Sequence, residues 1–208
     1  MEFAEVNQEI WRQRYGNLQK YLNPNPLQRY LIRRFHTKID NLIKEVKVSR
    51  VLDAGCGEGF VIRDLQERNR GVTFEGIDFA PSAIALAKRL HPHTTFHIGD
   101  IRHLPFSAGA FDLILCLEVL EHLPDPDQAL VELRRVTSRF ILASVPHEPF
   151  FRLANLLRGK HIGAWGNDPE HLQNWTAAQF LHLMGRHLTV EKLTYSFPWV
   201  IALCHKEV

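Results

Sequence analysis

The chain has 208 residues, 45% of them hydrophobic and 23% charged, which suits one soluble α/β domain with a sizeable core. Its 25 basic and 23 acidic residues leave a formal net charge of +2, without the broad basic field that nucleic-acid binding needs, so a small or neutral partner is expected. No apolar segment follows a basic one in the opening MEFAEVNQEIWRQRY, and the most apolar later run, LILCLEVL (113–120), is too short to span a bilayer and contains Glu118, so a cytoplasmic protein is expected.

Residues 1–47 carry helical periodicity, with Leu31, Ile32, Phe35, Ile39, Leu42, Ile43 and Val46 along one side. The NPNP run at 23–26 divides this region into two helical pieces, because proline lacks a donor and restricts the residue before it. From residue 50 short apolar runs alternate with helical segments. Strands are predicted near 50–54, 73–77, 95–98, 112–117 and 139–145, each of the first four followed by a turn and a helix. That alternation implies a parallel sheet covered by helices on both faces. Asp125, Pro126 and Gln128 supply the cap, first residue and box position of one helix; Thr176 and Gln179 repeat the box for another. The last two β-like runs, 188–197 and 199–208, are joined so tightly at Pro198 that only antiparallel pairing is open to them, which brings the total to seven strands.

Cys56, Cys116 and Cys204 are far apart, odd in number and form no CxxC pair, so they read as small buried residues. Twelve histidines invite a metal, yet no H-E-x-x-H or comparable ligand spacing occurs, and HPH at 91–93 reads as a helix end; no metal is expected.

The stretch VLDAGCGEG (51–59) runs from a strand into three glycines. Such a turn lets backbone approach a ligand, with the free N–H groups of the next helix beyond it. The dinucleotide pattern G-x-G-x-x-G fails, because Phe60 stands where the third glycine belongs. Asp53 would repel a pyrophosphate but attract an ammonium or sulfonium, so the turn favours a cationic ligand.

DAGCGEG (53–59) resembles motif I of the class I S-adenosylmethionine-dependent methyltransferases, D/E-x-G-x-G-x-G. Three further motifs keep the order and spacing of that family: GIDFA (76–80), HIGDIRHLPF (97–106) and FDLILCLEVLEHLPDP (111–126), the last similar to the small-molecule enzymes, including those of quinone biosynthesis. The resemblance implies a doubly wound Rossmann-like α/β sheet in the order 3-2-1-4-5-7-6, with strand 7 antiparallel. It implies a single domain over 1–208, made of an N-terminal helical cap (1–47), a cofactor-binding core (48–145), a lid carrying the acceptor (146–176), and a last helix with the closing hairpin (177–208). It implies S-adenosylmethionine as cofactor, S-adenosylhomocysteine as product and a small-molecule acceptor, with no membrane or nucleic-acid partner; the oligomeric state stays open.

In the cofactor site the resemblance places Asp53, Gly55, Cys56, Gly57 and Gly59 at the turn. Asp78 meets the ribose hydroxyls, and Phe79 beside it belongs to the cofactor site; Asp100 accepts from the adenine amino group beside the Ile101 N–H; Leu117 and Glu118 flank the methionine part. His122 reads either as part of that site or as a structural hydrogen-bonding residue. The family has no universal catalytic residue.

The long connection 144–176 is rich in Trp, His and Asn, as lids and binding segments are, and with YLNPNPLQRY (21–30) is expected to form the acceptor pocket. Both elements resemble type-11 methyltransferases, the second through Trp165, Gly166, Asn167, Pro169 and His171. His147, His161 and His171 are the candidate catalytic bases, with Glu148 behind them. Trp165 and Trp175 either stack on a planar acceptor or fill the lid's own core. Three other readings stay open: a cofactor-binding protein without turnover, a nicotinamide-dependent oxidoreductase, and a nucleic-acid methyltransferase using the RGKH run at 158–161. The last lacks the (N/D)-P-P-(Y/F) expected after strand four.

Overall fold

The computed structural model describes residues 18–159 and 161–207. The opening helical piece before residue 18 therefore lies outside the described residues. Helix α1 (Leu18–Leu22) ends at the NPNP run, and α2 (Pro26–Val46) starts there because the Asn25 side chain accepts from the N–H groups of Leu27 and Gln28 and Pro26 needs no donor. Its apolar face buries Ile32, Phe35, Ile39, Leu42, Ile43 and Val46 as the periodicity requires, whereas Leu31 is only partly covered.

Then follow β1 (Arg50–Ala54), α3 (Phe60–Arg68), β2 (Thr73–Asp78), α4 (Pro81–Leu90), β3 (Thr95–Ile98), β4 (Phe111–Leu117), α5 (Pro126–Val136) and β5 (Thr137–Pro146). After α6 (Phe150–Leu157) and α7 (Ala177–Gly185), strands β6 (Thr189–Ser196) and β7 (Trp199–His205) close the chain. The seven strands form one sheet in the order β3-β2-β1-β4-β5-β7-β6, with β7 antiparallel to both neighbours. All strands but β7 run the same way, and the order reverses between β1 and β4, where doubly wound sheets bind ligands.

Two expectations need correction. No helix follows β3: residues 99–110 carry Gly99, Pro105 and Gly109, and their carbonyls are met instead by Arg135 of α5, which donates to Leu104 O (2.9 Å) and Phe106 O (2.7 Å). Asp125 does cap α5, but Gln128 does not complete a box; its Nε2 lies 3.3 Å from His103 Nε2. At α7 both arms of the Thr176–Gln179 box are present.

Side chains alternate across the sheet into two cores. Ile114 and Cys116 join Leu130, Leu133, Phe180 and Met184 on one face; Leu113 and Leu115 join Phe35, Ile39 and Leu42 of α2 on the other. The three cysteines are buried and free, and burial pushes the thiol of Cys204 up to about 12. Among the described residues no helix is long and apolar enough to cross a membrane.

Candidate cofactor and acceptor site

The carboxyl ends of β1, β2 and β4 meet at the glycine turn. Gly55, Gly57 and Gly59 have φ of 90°, 52° and 79°, backbone that side chains rarely adopt. At Gly55 a Cβ would also stand 2.3 Å from Val119 Cγ2, so the turn is pressed against the segment after β4. Ile77 O accepts from the N–H groups of Gly55 (2.8 Å) and Cys56 (3.0 Å). Asp78 locks the same turn from β2: its Oδ2 accepts from Gly57 N (2.9 Å) and its Oδ1 from Ala80 N (2.9 Å). A carboxylate has about four acceptor sites, so Asp78 keeps capacity for two hydroxyl donors.

Asp53 is 2% exposed, and its Oδ2 has no hydrogen-bond partner among the described residues. Burial, with Asp78 adding repulsion, pushes its carboxyl up to about 7. With Lys20, Tyr21, Phe35, Gly55, Cys56, Phe60, Val61, Leu117 and Glu118 it surrounds a cavity of about 30 Å³. Glu118, at φ 60°, is held by the indole Nε1–H of Trp199, and burial raises its carboxyl. Lys20 in turn lies over the Trp199 ring, 5.1 Å from its centroid. The cavity thus offers two carboxylates and one ammonium in a small apolar enclosure.

Toward β3 the site opens. Phe79, beside Asp78, is 79% exposed, while Ile101 is buried under the turn that carries Asp100. Asp100 is gripped by Arg102, whose Nε lies 3.0 Å from both carboxylate oxygens, and that guanidinium holds its carboxyl below the usual range.

Sequence reasoning missed the residues that arrive from afar. Tyr21 stacks on Phe60 (centroids 4.6 Å apart), and its OH lies 3.0 Å from His36 Nε2; His36 Nδ1 lies 2.7 Å from Asp64 Oδ2. Burial and the carboxylates of Asp53, Asp64 and Glu118 hold the Tyr21 phenol protonated. Lys20, Trp199 and the His36–Asp64 pair join the site only through tertiary packing, and no local pattern marks them, whereas Tyr21 opens the YLNPNPLQRY stretch expected at the acceptor pocket.

The three histidines of the connection after β5 do not form one cluster. His147 sits between Phe150 and Tyr195 (5.0 and 5.3 Å), and burial lowers its pKa. His161 lies 3.7 Å from Asp168. Only His171 reaches the segment after β4, its ring 5.0 Å from that of His122; burial first, then His122, pushes it down to about 4. Glu148 faces Arg152 (3.5 Å) rather than a histidine.

The WGN element builds the connection itself. A Cβ at Gly166 would stand 2.2 Å from Arg152 O, and Asn155 donates to Gly166 O (2.9 Å). Trp175 packs beside Phe180 against the core, whereas Trp165 is 80% exposed. In the RGKH run Arg158 donates to Asn155 Oδ1 (2.6 Å), and Lys160 lies outside the described residues. Asn23 and Asn25 serve the corner between α1 and α2.

Comparison with known proteins agrees with this geometry. A family model described as a methyltransferase domain matches residues 52–139. The ubiquinone biosynthesis O-methyltransferase of Xylella fastidiosa is 34% identical over 170 residues, 70% of this chain and 67% of that protein. Norajmaline N-methyltransferase of Rauvolfia serpentina is 33% identical over 98 residues, 44% of this chain and 33% of that one. The chain thus spans about two thirds of the length of the first and one third of the second. Among solved structures, magnesium protoporphyrin IX methyltransferase from Synechocystis, with bound S-adenosylhomocysteine, superposes with a TM-score of 0.67 at 18% identity over 99% of this chain and 96% of that one. With its acid-led glycine turn, its sheet order and these matches, the chain belongs to the class I S-adenosylmethionine-dependent methyltransferases.

Proposed function

We propose that this chain transfers the methyl group of S-adenosylmethionine to a small-molecule acceptor held under residues 147–176. The observation that carries this reading is the buried, unpartnered Oδ2 of Asp53 at the glycine turn, in a cavity that also holds Glu118 and Lys20. Burying a carboxylate without a partner is costly unless a cation completes it. The amino-acid end of the donor would bring an ammonium for Asp53 and a carboxylate for Lys20, so the charges of these residues suit the group.

When bound, the cofactor would supply an electrophilic methyl on a sulfonium, with S-adenosylhomocysteine as the leaving group. The chain's part is positioning and exclusion of water. Asp78 would accept from the ribose hydroxyls with the acceptor sites left by Gly57 and Ala80. Asp100 and the Ile101 N–H would hold the adenine, with exposed Phe79 beside them. Tyr21 and Phe60 close the cavity from the α1 side. The named relatives act on oxygen in one case and nitrogen in the other, which supports a small acceptor without fixing the atom.

Calorimetry with S-adenosylhomocysteine tests the assignment. Wild type is expected to bind, and Asp78→Ala to bind about tenfold or more weakly, having lost two charge-assisted hydrogen bonds. Gly57→Val, which forces a branched side chain to φ 52°, is expected to lose binding. Unchanged affinity in both variants overturns the assignment.

A further inference from the structure

Outside the cofactor cavity, the segment after β4 and the connection after β5 meet in a cluster that methyl transfer does not require. Glu121, His122 and His171 each bring one ligand-competent atom, and these atoms lie within 4.8 Å of one another. Glu121 is 1% exposed, yet neither of its carboxylate oxygens has a hydrogen-bond partner among the described residues. A doubly orphaned buried carboxylate is expensive, and a cation beside it removes the cost.

The surroundings prepare the histidine nitrogens as well. His122 Nδ1 lies 2.9 Å from Glu170 O. A carbonyl only accepts, so Nδ1 carries the hydrogen and Nε2 is left with its lone pair, the arrangement in which a second partner orients a metal-binding imidazole. The backbone holds the two halves in register: Glu121 O accepts from Leu172 N (2.9 Å) and Gln173 N (3.0 Å), which fixes the residues that follow His171 against Glu121.

We propose that Glu121, His122 and His171 form a binding site for a zinc-like divalent cation, which ties residues 147–176 to the segment after β4. One carboxylate and two imidazoles suit zinc, and they suit magnesium poorly, since magnesium takes oxygen ligands in octahedral geometry. Zinc–ligand bonds of about 2.0–2.2 Å put tetrahedral ligands roughly 3.4 Å apart, so side-chain movements of about 1 Å close the site. Three protein ligands leave a fourth position open to solvent or to an acceptor oxygen, as in exchangeable rather than closed zinc sites. The spacing rules that argue against a metal from the sequence miss it because the third ligand lies far along the chain from the Glu121–His122 pair.

Zinc binding is read without turnover, so it is separable from the methyl-transfer reading. Tag-free full-length protein is titrated with Zn²⁺ and, separately, Mg²⁺ by calorimetry, and its thermal midpoint is followed with and without Zn²⁺. The expected result is one zinc per chain bound much more tightly than magnesium, with a zinc-dependent rise in the midpoint. His171→Gln and Glu121→Gln, which keep side-chain volume, should weaken zinc by about 100-fold or more and abolish that rise, while exposed His182→Ala leaves both intact. S-adenosylhomocysteine affinity in the His171→Gln protein reports that it still folds. No stoichiometric zinc binding, or zinc binding unchanged in His171→Gln, overturns the proposal.

Discussion

At Asp53 a raised carboxyl pKa has two measurable consequences. A cationic donor favours the ionised form, and with a value of about 7 that form dominates at pH 8 and is scarce at pH 6. Affinity for S-adenosylmethionine should therefore fall about tenfold from pH 8 to pH 6, and in Asp53→Asn it should be weak and flat with pH. Stability runs the other way. Between about pH 4 and pH 7 the folded protein retains a proton that the unfolded chain releases, so this residue makes stability decline as pH rises through that window. Denaturant titrations at pH 5 and pH 8 should show the decline in wild type and a smaller one in Asp53→Asn. An affinity that stays level between pH 6 and pH 8 in wild type would refute the cavity's electrostatics. Asp53, the glycines and Asp78 could be brought to one turn from the sequence because Asp53 and Asp78 sit at the carboxyl ends of β1 and β2 and the glycines follow β1 directly, where chain order and spatial order coincide. Lys20 and Trp199 could not, since the cavity borrows them from the first described helix and the last strand, and Glu121 escaped notice because an acid beside a histidine is unremarkable until His171 is brought to it.

At the scale of elements β1 to β4 were read from the sequence to within a residue, because a largely buried strand is a short apolar run between breakers, whereas β5 starts two residues earlier, at Thr137, and β7 ends three residues sooner, at His205, than expected. The connection after β3 was misread for the opposite reason. Its polar atoms are satisfied by Glu132 and Arg135 on a helix one strand later, and no local signal announces a partner of that kind. Helix caps divide in the same way. Thr176 and Gln179 satisfy each other within one turn, Gln179 Oε1 accepting from Thr176 N at 2.9 Å, whereas Gln128 turns away to His103. Two exposed glutamines at equivalent helix positions should therefore differ. Gln179→Ala is expected to cost about 0.5–1 kcal/mol of unfolding free energy, and Gln128→Ala only a few tenths. Urea denaturation of the two variants side by side decides it, and equal losses would show that the closed box contributes nothing beyond helix propensity.

For the whole molecule the sheet has two faces to cover, and α2 covers part of one of them. Phe35, Ile39, Leu42, Ile43 and Val46 share a core with Val51, Leu113, Leu115, Leu142, Ile201 and Leu203, and Phe35 packs 4.8 Å from the Trp199 ring. The Trp199 indole then holds Glu118 in the cofactor cavity, so the same helix supports both the fold and the site. The six buried apolar residues of α2 contribute about 1.5–3 kcal/mol each, roughly 9 kcal/mol at the low end, which rivals the net stability of about 5–15 kcal/mol of a typical domain. A cap that merely sat over the cofactor could be removed with loss of binding alone; a layer of the core could not. A chain cut to residues 48–208 is therefore expected to show no cooperative thermal transition and to expose apolar surface to a hydrophobic dye. If that fragment instead melts sharply and still binds S-adenosylhomocysteine, the energetic weight placed on α2 is wrong. The packing of Phe35 on Trp199 would then be incidental to holding Glu118 in place.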